Sequence, residues 1–209
     1  MENRNKIVEE ILKARSTAEK VEEELQKARE KDEEMAKKPL LTLEEVTEQM
    51  GKGMVHYPDG NIRFAAVSFF GKRVAMPIPV DYLNRHTTEK EVVVLMNEIL
   101  GISLQMQLTK SQKKNVTFEE VKRGMVGQLR AAGMYVELID EGTVEDSVAP
   151  LYFLTYRLPI PQGVMFHLVF YAINRIDGSM IIGDYNCFYT DVEKWENIMK
   201  ATISYFQFR

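Results

Sequence analysis

Length, composition and charge place the chain among ordinary folded proteins. It has 209 residues, 45% of them hydrophobic and 28% charged, which is enough for a core that needs no disulfide or metal. The formal net charge is −4 at pH 7, and acidic and basic residues are mixed along the chain, which argues against nucleic acid as a partner. Cys187 is the sole cysteine, and this excludes an intrachain disulfide and a multi-thiolate zinc site.

Export and membrane insertion are not expected. The opening sequence MENRNKIVEEILK is charged from its second residue and has no apolar region of the kind that a signal peptide needs. The uncharged stretch 163–174 falls short of the roughly 20 apolar residues that span a bilayer as a helix. We therefore expect a cytoplasmic protein without stable membrane insertion, and the lone cysteine agrees with a reducing compartment.

Residues 1–38 predict a charged helical arm. They contain no Gly or Pro and are rich in Glu, Lys, Arg and Ala, which favour helix. Apolar positions recur in alternating steps of four and three, the heptad spacing of a coiled coil. This seam consists of Ile7, Ile11, Ala14, Ala18, Val21, Leu25, Ala28, Asp32 and Met35. Because the seam includes three Ala and one Asp, two interpretations stay open: a solvated or partly docked helix, or a coiled coil that dimerises or binds a partner.

Residues 39–53 predict a short helix and linker. Thr42 and Glu45 have the spacing of a capping box, in which each side chain binds the backbone of the other residue. Gly51 and Gly53 then favour the end of this helix.

Residues 54–209 predict a single α+β domain. Strands are expected at 55–57, 62–70, 73–78, 91–96, 104–108, 134–141, 151–158, 164–174 and 179–189. The stretch 91–96 has a helical alternative that pattern alone does not exclude. Pro77 and Pro79 favour the end or the edge of their strand, because proline donates no ladder hydrogen bond.

Two helices are expected among these strands. Thr117 and Glu120 have capping-box spacing, and an apolar stripe then runs up to Gly133. Thr190 and Glu193 repeat this spacing before the last helix. Its stripe consists of Trp195, Ile198, Met199, Thr202, Ile203 and Phe206. Because the connections between the last strands are short, the sequence predicts an α+β fold with an antiparallel β-sheet flanked by helices and a long N-terminal helical, coiled-coil-like arm.

No catalytic, cofactor-binding or metal-binding residue is predicted. His56, His86 and His167 are far apart in sequence, and no nucleotide-binding motif occurs. His167 lies in an apolar strand and is interpreted as a hydrogen-bonded core residue. Cys187 is interpreted as a small packed apolar group instead of a nucleophile.

Aromatic residues crowd the last three strands. Most are expected in the core or beneath a helix, but an exposed face or cleft is an open alternative. The candidate partner-binding residues are Ile11, Val21 and Leu25 in the arm and Tyr152, Tyr156, Phe170 and Tyr185 in the strands.

The order of these elements resembles the PsbP-like fold, which is shared with Ran-release factors and DcrB-like bacterial proteins. The segments that carry the resemblance are Val74-Ala-Met-Pro-Ile-Pro, Leu104-Gln-Met-Gln-Leu, Thr117-Phe-Glu-Glu-Val, Gly178-Ser-Met-Ile-Ile-Gly and Trp195 in the last helix. The resemblance covers roughly residues 54–209 and implies an antiparallel sheet between helices that binds proteins instead of performing catalysis. Some bacterial members act as chaperones for apolar helices of secreted toxins. The long charged arm is a departure from many members.

The leading hypothesis is a non-enzymatic, protein-binding or chaperone-like accessory protein, with a secreted or membrane-inserting client as one possibility. Its partners would be another protein, or a second copy bound through the arm. One alternative is a carrier of a small apolar ligand, or an enzyme whose pocket is assembled in space. Another is purely structural dimerisation through the arm.

Overall fold

The computed structural model describes residues 2–37, 40–83, 85–111, 117–145 and 149–209, with the side chains of 2–15, 35–37, 85 and 86 left out. The predicted junction at Lys38 and Pro39 lies outside the described residues. The side chains of Ile11 and His86, both considered above, are also outside the description.

Four α-helices occur in the described part of the chain. They are α1 (Glu2–Lys37), α2 (Leu43–Gly51), α3 (Phe118–Ala131) and α4 (Val192–Ser204). The predicted capping boxes at Thr42 and Thr117 are both confirmed, because each hydroxyl accepts from the backbone of the glutamate three residues on. The predicted cap at Thr190 is wrong. A 3₁₀ turn precedes α4, so that Asp191 becomes the N-cap and makes no side-chain capping bond.

The strands form two antiparallel sheets instead of one. Their bounds are β1 (Met54–Tyr57), β2 (Gly60–Phe69), β3 (Val74–Pro79), β4 (Arg85–Thr88), β5 (Val92–Asn97), β6 (Ile102–Lys110), β7 (Glu137–Val144), β8 (Leu151–Ile160), β9 (Gly163–Ile173), β10 (Ser179–Phe188) and β11 (Gln207–Phe208). The small sheet has the order β1-β2-β3-β11, and the large sheet has the order β4-β5-β6-β10-β9-β8-β7. The predicted strand at 91–96 is confirmed as β5, while β4 and β11 were not foreseen. The α+β class and the antiparallel pairing are therefore confirmed.

The prolines of β3 lie where proline costs no ladder hydrogen bond. β3 pairs with β2 along its length, whereas β11 reaches it only at Val74 and Ala75. Pro77 and Pro79 thus lie beyond the paired part of that side, as the sequence predicts.

One face of the large sheet forms the main core, and we call it the inner face. Its side chains come from alternate positions of β5, β6, β8, β9 and β10, and nearly all are buried. Members include Leu95, Leu104, Met106, Leu151, Phe166, Leu168, Phe170, Ile181, Tyr185 and Cys187. α4 packs against β9 and β10 of this sheet and against β3 of the small sheet, so it joins the two sheets. Its predicted stripe is confirmed from Trp195 to Ile203, all of whose members are buried, whereas Phe206 lies beyond the end of the helix.

The arm helix α1 docks on the inner face through the second half of its seam. Leu25 is 2% exposed and Ala28 is 5% exposed, and both belong to the main core cluster. Val21 is half-buried, while Ala18 is exposed. The partly docked interpretation therefore describes this half of the arm, and a long coiled coil is not confirmed, because Leu25 and Ala28 already pack within the chain.

The inner face allows no added volume at Gly183. A Cβ atom there would overlap the ring of Phe170, which is fully buried and has no room to move. In Gly183→Ala we expect the free energy of unfolding to fall by about 1–3 kcal/mol, the usual cost of overpacking. Chemical denaturation monitored by circular dichroism measures this change.

Gly127→Ala in α3 is the matched control. A Cβ atom at Gly127 meets nothing within 4 Å. The same substitution there should leave stability unchanged or raise it by up to about 1 kcal/mol, because alanine favours helix over glycine. Equal losses at both glycines would contradict the packing described for Gly183.

Candidate protein-binding surfaces

The second face of the large sheet, the outer face, is covered by a helix over only part of its width. α3 packs on β8 and β9, where Met125 lies in a small cluster with Leu154, Tyr156 and Val169. Met125 is the buried residue of α3, and Val126 and Leu129 pack half-buried against the same cluster. The ring of Phe118 at its start lies 5.8 Å from the ring of Tyr152.

Beyond α3, a strip of the outer face is partly or fully exposed. We call this strip the open face and define it by Val92, Val94 and Met96 of β5, Gln105 and Gln107 of β6, and Ile182 and Asp184 of β10. The glutamines are exposed and the other side chains are half-exposed. In β5 the alternation is clean, since Val93 and Leu95 between them are buried. The open face therefore combines apolar side chains with two amides and a single carboxylate.

A polar row borders the open face on the side of α3. His167 Nδ1 lies 3.0 Å from Asp184 Oδ1, and its side chain is 13% exposed. The imidazole stacks on the ring of Tyr156 with 4.8 Å between centroids and 3° between planes. Burial and the nearby Asp184 carboxylate raise the pKa of the Tyr156 phenol. His167 is therefore hydrogen-bonded as predicted, but it lies half-buried on the outer face instead of in the core.

The polar row does not assemble a nucleophile with its base. In the sheet register Asn186 lies between Ser103 and His167. The Ser103 hydroxyl donates to Asn186 Oδ1 at 3.1 Å, so it is directed to the amide and not to the imidazole. The row has the hydrogen-bonded arrangement of a structural network.

On the inner face, the docked part of the arm meets a charged cradle. Asp32 Oδ2 lies 2.7 Å from Nη2 of Arg157, whose side chain is 6% exposed. The hydroxyl of Tyr189 donates to the other oxygen of Asp32, and the guanidinium of Arg157 lies 5.2 Å from the centroid of the Tyr189 ring. Arg29 donates two hydrogen bonds to Glu137, at 3.1 and 3.2 Å. We call Arg157, Glu137 and Tyr189 the cradle.

The cradle explains the acidic residue in the apolar seam. Asp32 occupies a seam position, where a carboxylate weakens a coiled coil. In the folded chain it faces Arg157, which lies on the inner face of β8 beside Phe166 in the sheet register. Burial and the hydrogen bond to Asp32 raise the pKa of the Tyr189 phenol. The docked helix is therefore complementary to the cradle in charge, in addition to its apolar contact with the inner face.

The predicted partner-binding residues occupy different environments. Leu25, Tyr156, Phe170 and Tyr185 are buried within the chain. Val21 and Tyr152 are half-buried, and the side chain of Ile11 is outside the description. The burial of the first four is accounted for by packing inside this fold, so they offer a partner no accessible surface here. The partner-binding role of the seven stays a prediction, and the open face consists of other residues.

Sequence reasoning did not select the residues of the open face or of the cradle. Gln105 and Gln107 alternate with buried apolar residues, a sequence pattern typical of a strand with one solvent-facing side, and this strand lies in the open face. For the cradle, the sequence signal is Asp32, an acidic residue at a position of the seam where apolar residues are expected. No local pattern marks Arg157 as its partner, because the two are far apart along the chain.

An apolar cleft lies between α2 and the small sheet. Its volume is about 270 Å³, and its walls include Met50, Phe64, Ala66, Met76 and Tyr205, with Arg209 also lining it. The Tyr205 hydroxyl donates to the carbonyl of Thr47, which fixes the ring as a wall of the cleft.

Among the described residues, no three or more His, Cys, Asp or Glu side chains converge in an arrangement fit for a metal ion. None of the described helices combines the length and the apolar character needed to cross a bilayer. The cytoplasmic location stays a prediction.

Comparison with known proteins places the fold. No protein-family model matches the chain, and no curated protein matches it. Among solved structures, the cyanobacterial PsbP protein (CyanoP) of Synechocystis sp. PCC 6803 superposes with a TM-score of 0.56 at 18% identity, over 74% of this chain and 98% of that one. The chain therefore has a PsbP-like fold, as the resemblance in its sequence indicates.

Two further solved structures are similar over comparable lengths. The Ran-binding protein Mog1p of Saccharomyces cerevisiae gives a TM-score of 0.46 at 11% identity, over 70% of this chain and 96% of that one. The protein PA94 of Pseudomonas aeruginosa, a putative regulator of unknown function, gives 0.41 at 8% identity, over 72% and 92%.

The thiol of Cys187 should be unreactive in the native protein. Its side chain is fully buried on the inner face, and burial, with Asp191 and Glu196 nearby, raises the pKa of the thiol. We expect no labelling by a water-soluble disulfide reagent over a time in which the chain unfolded in guanidinium is labelled completely. Stoichiometric labelling without denaturant would contradict the placement of Cys187 in the core.

Proposed function

We propose that this chain is a non-enzymatic accessory protein that binds a helical segment of another protein through the open face. The observation that carries the proposal is that Val94, Met96 and Ile182 stay only half-buried, on a strip of sheet that α3 leaves uncovered. Val94 and Met96 are neighbours on β5, while Ile182 lies on β10, across Gln107 of β6. Apolar side chains grouped on a folded surface are typical of a protein-binding site.

The shape of the open face favours a helix as its occupant. Adjacent strands lie about 4.8 Å apart, so the strip over β5, β6 and β10 is about 10 Å wide between its outer strands. That width is close to the diameter of one α-helix with its side chains, about 10–12 Å. A partner helix on this strip would lie beside α3 and complete a helical layer over the outer face.

The charges of the open face indicate which helix fits. Asp184 is 34% exposed and contributes the carboxylate of the face, while Gln105 and Gln107 offer amide donors and acceptors. A helix with an apolar stripe and a lysine or arginine beside it would bury the stripe and pair the cation with Asp184. Such a stripe also belongs to helices of secreted or membrane-inserting proteins, and a chaperone-like role for a client of this kind is the finer form of the proposal.

Peptide binding tests the proposal. The probe is a 20-residue helical peptide with leucines on one face and lysines on the other, and its partner control is the same peptide with a central proline. We expect the full chain to bind the first peptide and to bind the control at least tenfold more weakly, because proline breaks the helix. Fluorescence anisotropy of the labelled peptides measures both affinities.

Substitutions in the chain locate the contact. Val94→Gln and Ile182→Gln together remove apolar surface from the open face, and we expect about tenfold weaker binding, equal to about 1.4 kcal/mol, without loss of folding. Ile176→Gln is the matched control, since Ile176 is 75% exposed in the turn between β9 and β10, outside the open face. Equal binding by all three proteins would overturn the proposed contact surface.

The apolar cleft favours a second candidate function, the carriage of a small apolar ligand. Its volume of about 270 Å³ is enough for a small organic molecule, and Arg209 at the cleft offers a cation to an acidic group. Native mass spectrometry of the protein purified from its source cell would show a retained small molecule. Ala66→Leu, which fills the cleft, should abolish that retention, whereas Val94→Gln should not.

A further inference from the structure

Asp184 belongs both to the open face and to the polar row that borders it. It lies on β10 opposite Gln105 of β6, two residues from Ile182 on the same face of the sheet, and its side chain is 34% exposed. Towards β9, both of its carboxylate oxygens lie within hydrogen-bond distance of Nδ1 of His167, at 3.0 and 3.2 Å. The carboxylate that the open face offers to a partner is therefore already in contact with an imidazole.

The net charge of this pair depends on the protonation of His167. Because a carboxylate accepts hydrogen bonds and does not donate them, Nδ1 donates and carries the proton of the neutral imidazole. When Nε2 takes up a second proton from solvent, the ring becomes a cation, and the pair changes from one net negative charge to none. Histidines ordinarily make this change between pH 5 and 8, whereas aspartates ordinarily stay ionised there.

The other side chains around the pair keep their charge in this range. Tyr156 stacks on the imidazole, and burial, with Asp184 nearby, raises the pKa of the phenols of Tyr156 and Tyr171, so both stay neutral. The side chains that β6 and β10 add to the same face are neutral, namely Ser103, Gln105 and Asn186. α3 meets this part of the sheet through apolar side chains, namely Met125, Val126 and Leu129. Its Lys122 is paired with Glu141 of β7 at 2.5 Å. Among these described neighbours, His167 is the group whose charge varies.

We infer that His167 makes the binding of a cationic helix to the open face pH-dependent, with tight binding while the imidazole is neutral and weaker binding once it is protonated. A lysine or arginine of the partner and the protonated imidazole compete for the same carboxylate of Asp184. The protonated ring also repels the cation of the partner. The inference rests on the function proposed above and specifies how that function is regulated.

Peptide binding at two pH values tests the inference. We expect the helical peptide of leucines and lysines to bind the full chain about threefold to tenfold more weakly at pH 5.5 than at pH 8. Lysine side chains stay charged over this range, so the peptide itself does not change. The control peptide has glutamines in place of the lysines and should bind with nearly the same affinity at both pH values, because it has no cation to compete for Asp184. Fluorescence anisotropy measures all four affinities.

The outcomes separate this inference from the proposed function. Binding of the lysine peptide with equal affinity at both pH values would overturn the inference and leave the proposed function unaffected. Equal weakening of both peptides at pH 5.5 would also overturn the inference, because the loss would then not depend on a cation. Absence of binding by the lysine peptide at either pH would overturn the proposed function and this inference together.

Substitutions assign the pH dependence to the pair. His167→Gln keeps an amide donor for Asp184 but cannot become a cation, so the ratio of the affinities at the two pH values should fall to about one. Asp184→Asn removes the contested carboxylate and leaves the histidine in place. This variant should bind the lysine peptide more weakly at pH 8 and should also lose the pH dependence.

His56→Gln is the matched control. His56 lies on β1 of the small sheet, where its Nδ1 is 2.8 Å from Oδ1 of Asn61, away from the open face. This variant should retain the full pH dependence. An undiminished pH dependence in either His167→Gln or Asp184→Asn would refute the competition for the carboxylate.

Discussion

The buried guanidinium of Arg157 is the constraint that organises the docked arm. A cation on the inner face of a sheet is costly unless a carboxylate meets it, and in this chain that carboxylate comes from Asp32 in a helix at the far end of the sequence. The apolar contact of Leu25 and Ala28 alone would accept many positions of a helix along the groove. The salt bridge fixes one register, because a shift by one turn would separate the carboxylate from the guanidinium.

The two faces of the large sheet differ in how far they are covered. The inner face is closed by α4, by the docked half of α1 and by the small sheet, and it holds nearly all of the core. The outer face is covered by α3 over one part and leaves Val94 and Ile182 half-exposed over another. Cohesion is therefore concentrated on one side of the sheet, and surface for contact with other molecules remains on the other.

Much of the fold could be predicted from local patterns. Thr42 and Thr117 indicate the starts of their helices, because a capping box is formed by residues three apart in sequence. The alternation in β6 follows from the geometry of a single strand. The division into two sheets could not be predicted, since it depends on which strands pair in space, and β11, a strand of two residues, has no pattern of its own. The salt bridge between Asp32 and Arg157 is likewise a product of tertiary structure. For the open face, the alternation in β6 indicates a strand with one solvent-facing side. It does not indicate that β5 and β10 lie beside that strand.

The light attachment of α3 has a dynamic consequence. A helix with Met125 as its fully buried side chain, and with glycines at 124 and 127 that raise the entropy of its unfolded form, loses less burial on detaching than a strand of the inner face does. Its backbone amides should exchange with solvent through local opening well before the strands of the inner face exchange. Each opening uncovers Tyr156 and Val169. The apolar area that the outer face exposes to solvent is therefore larger, on average over time, than in the closed structure.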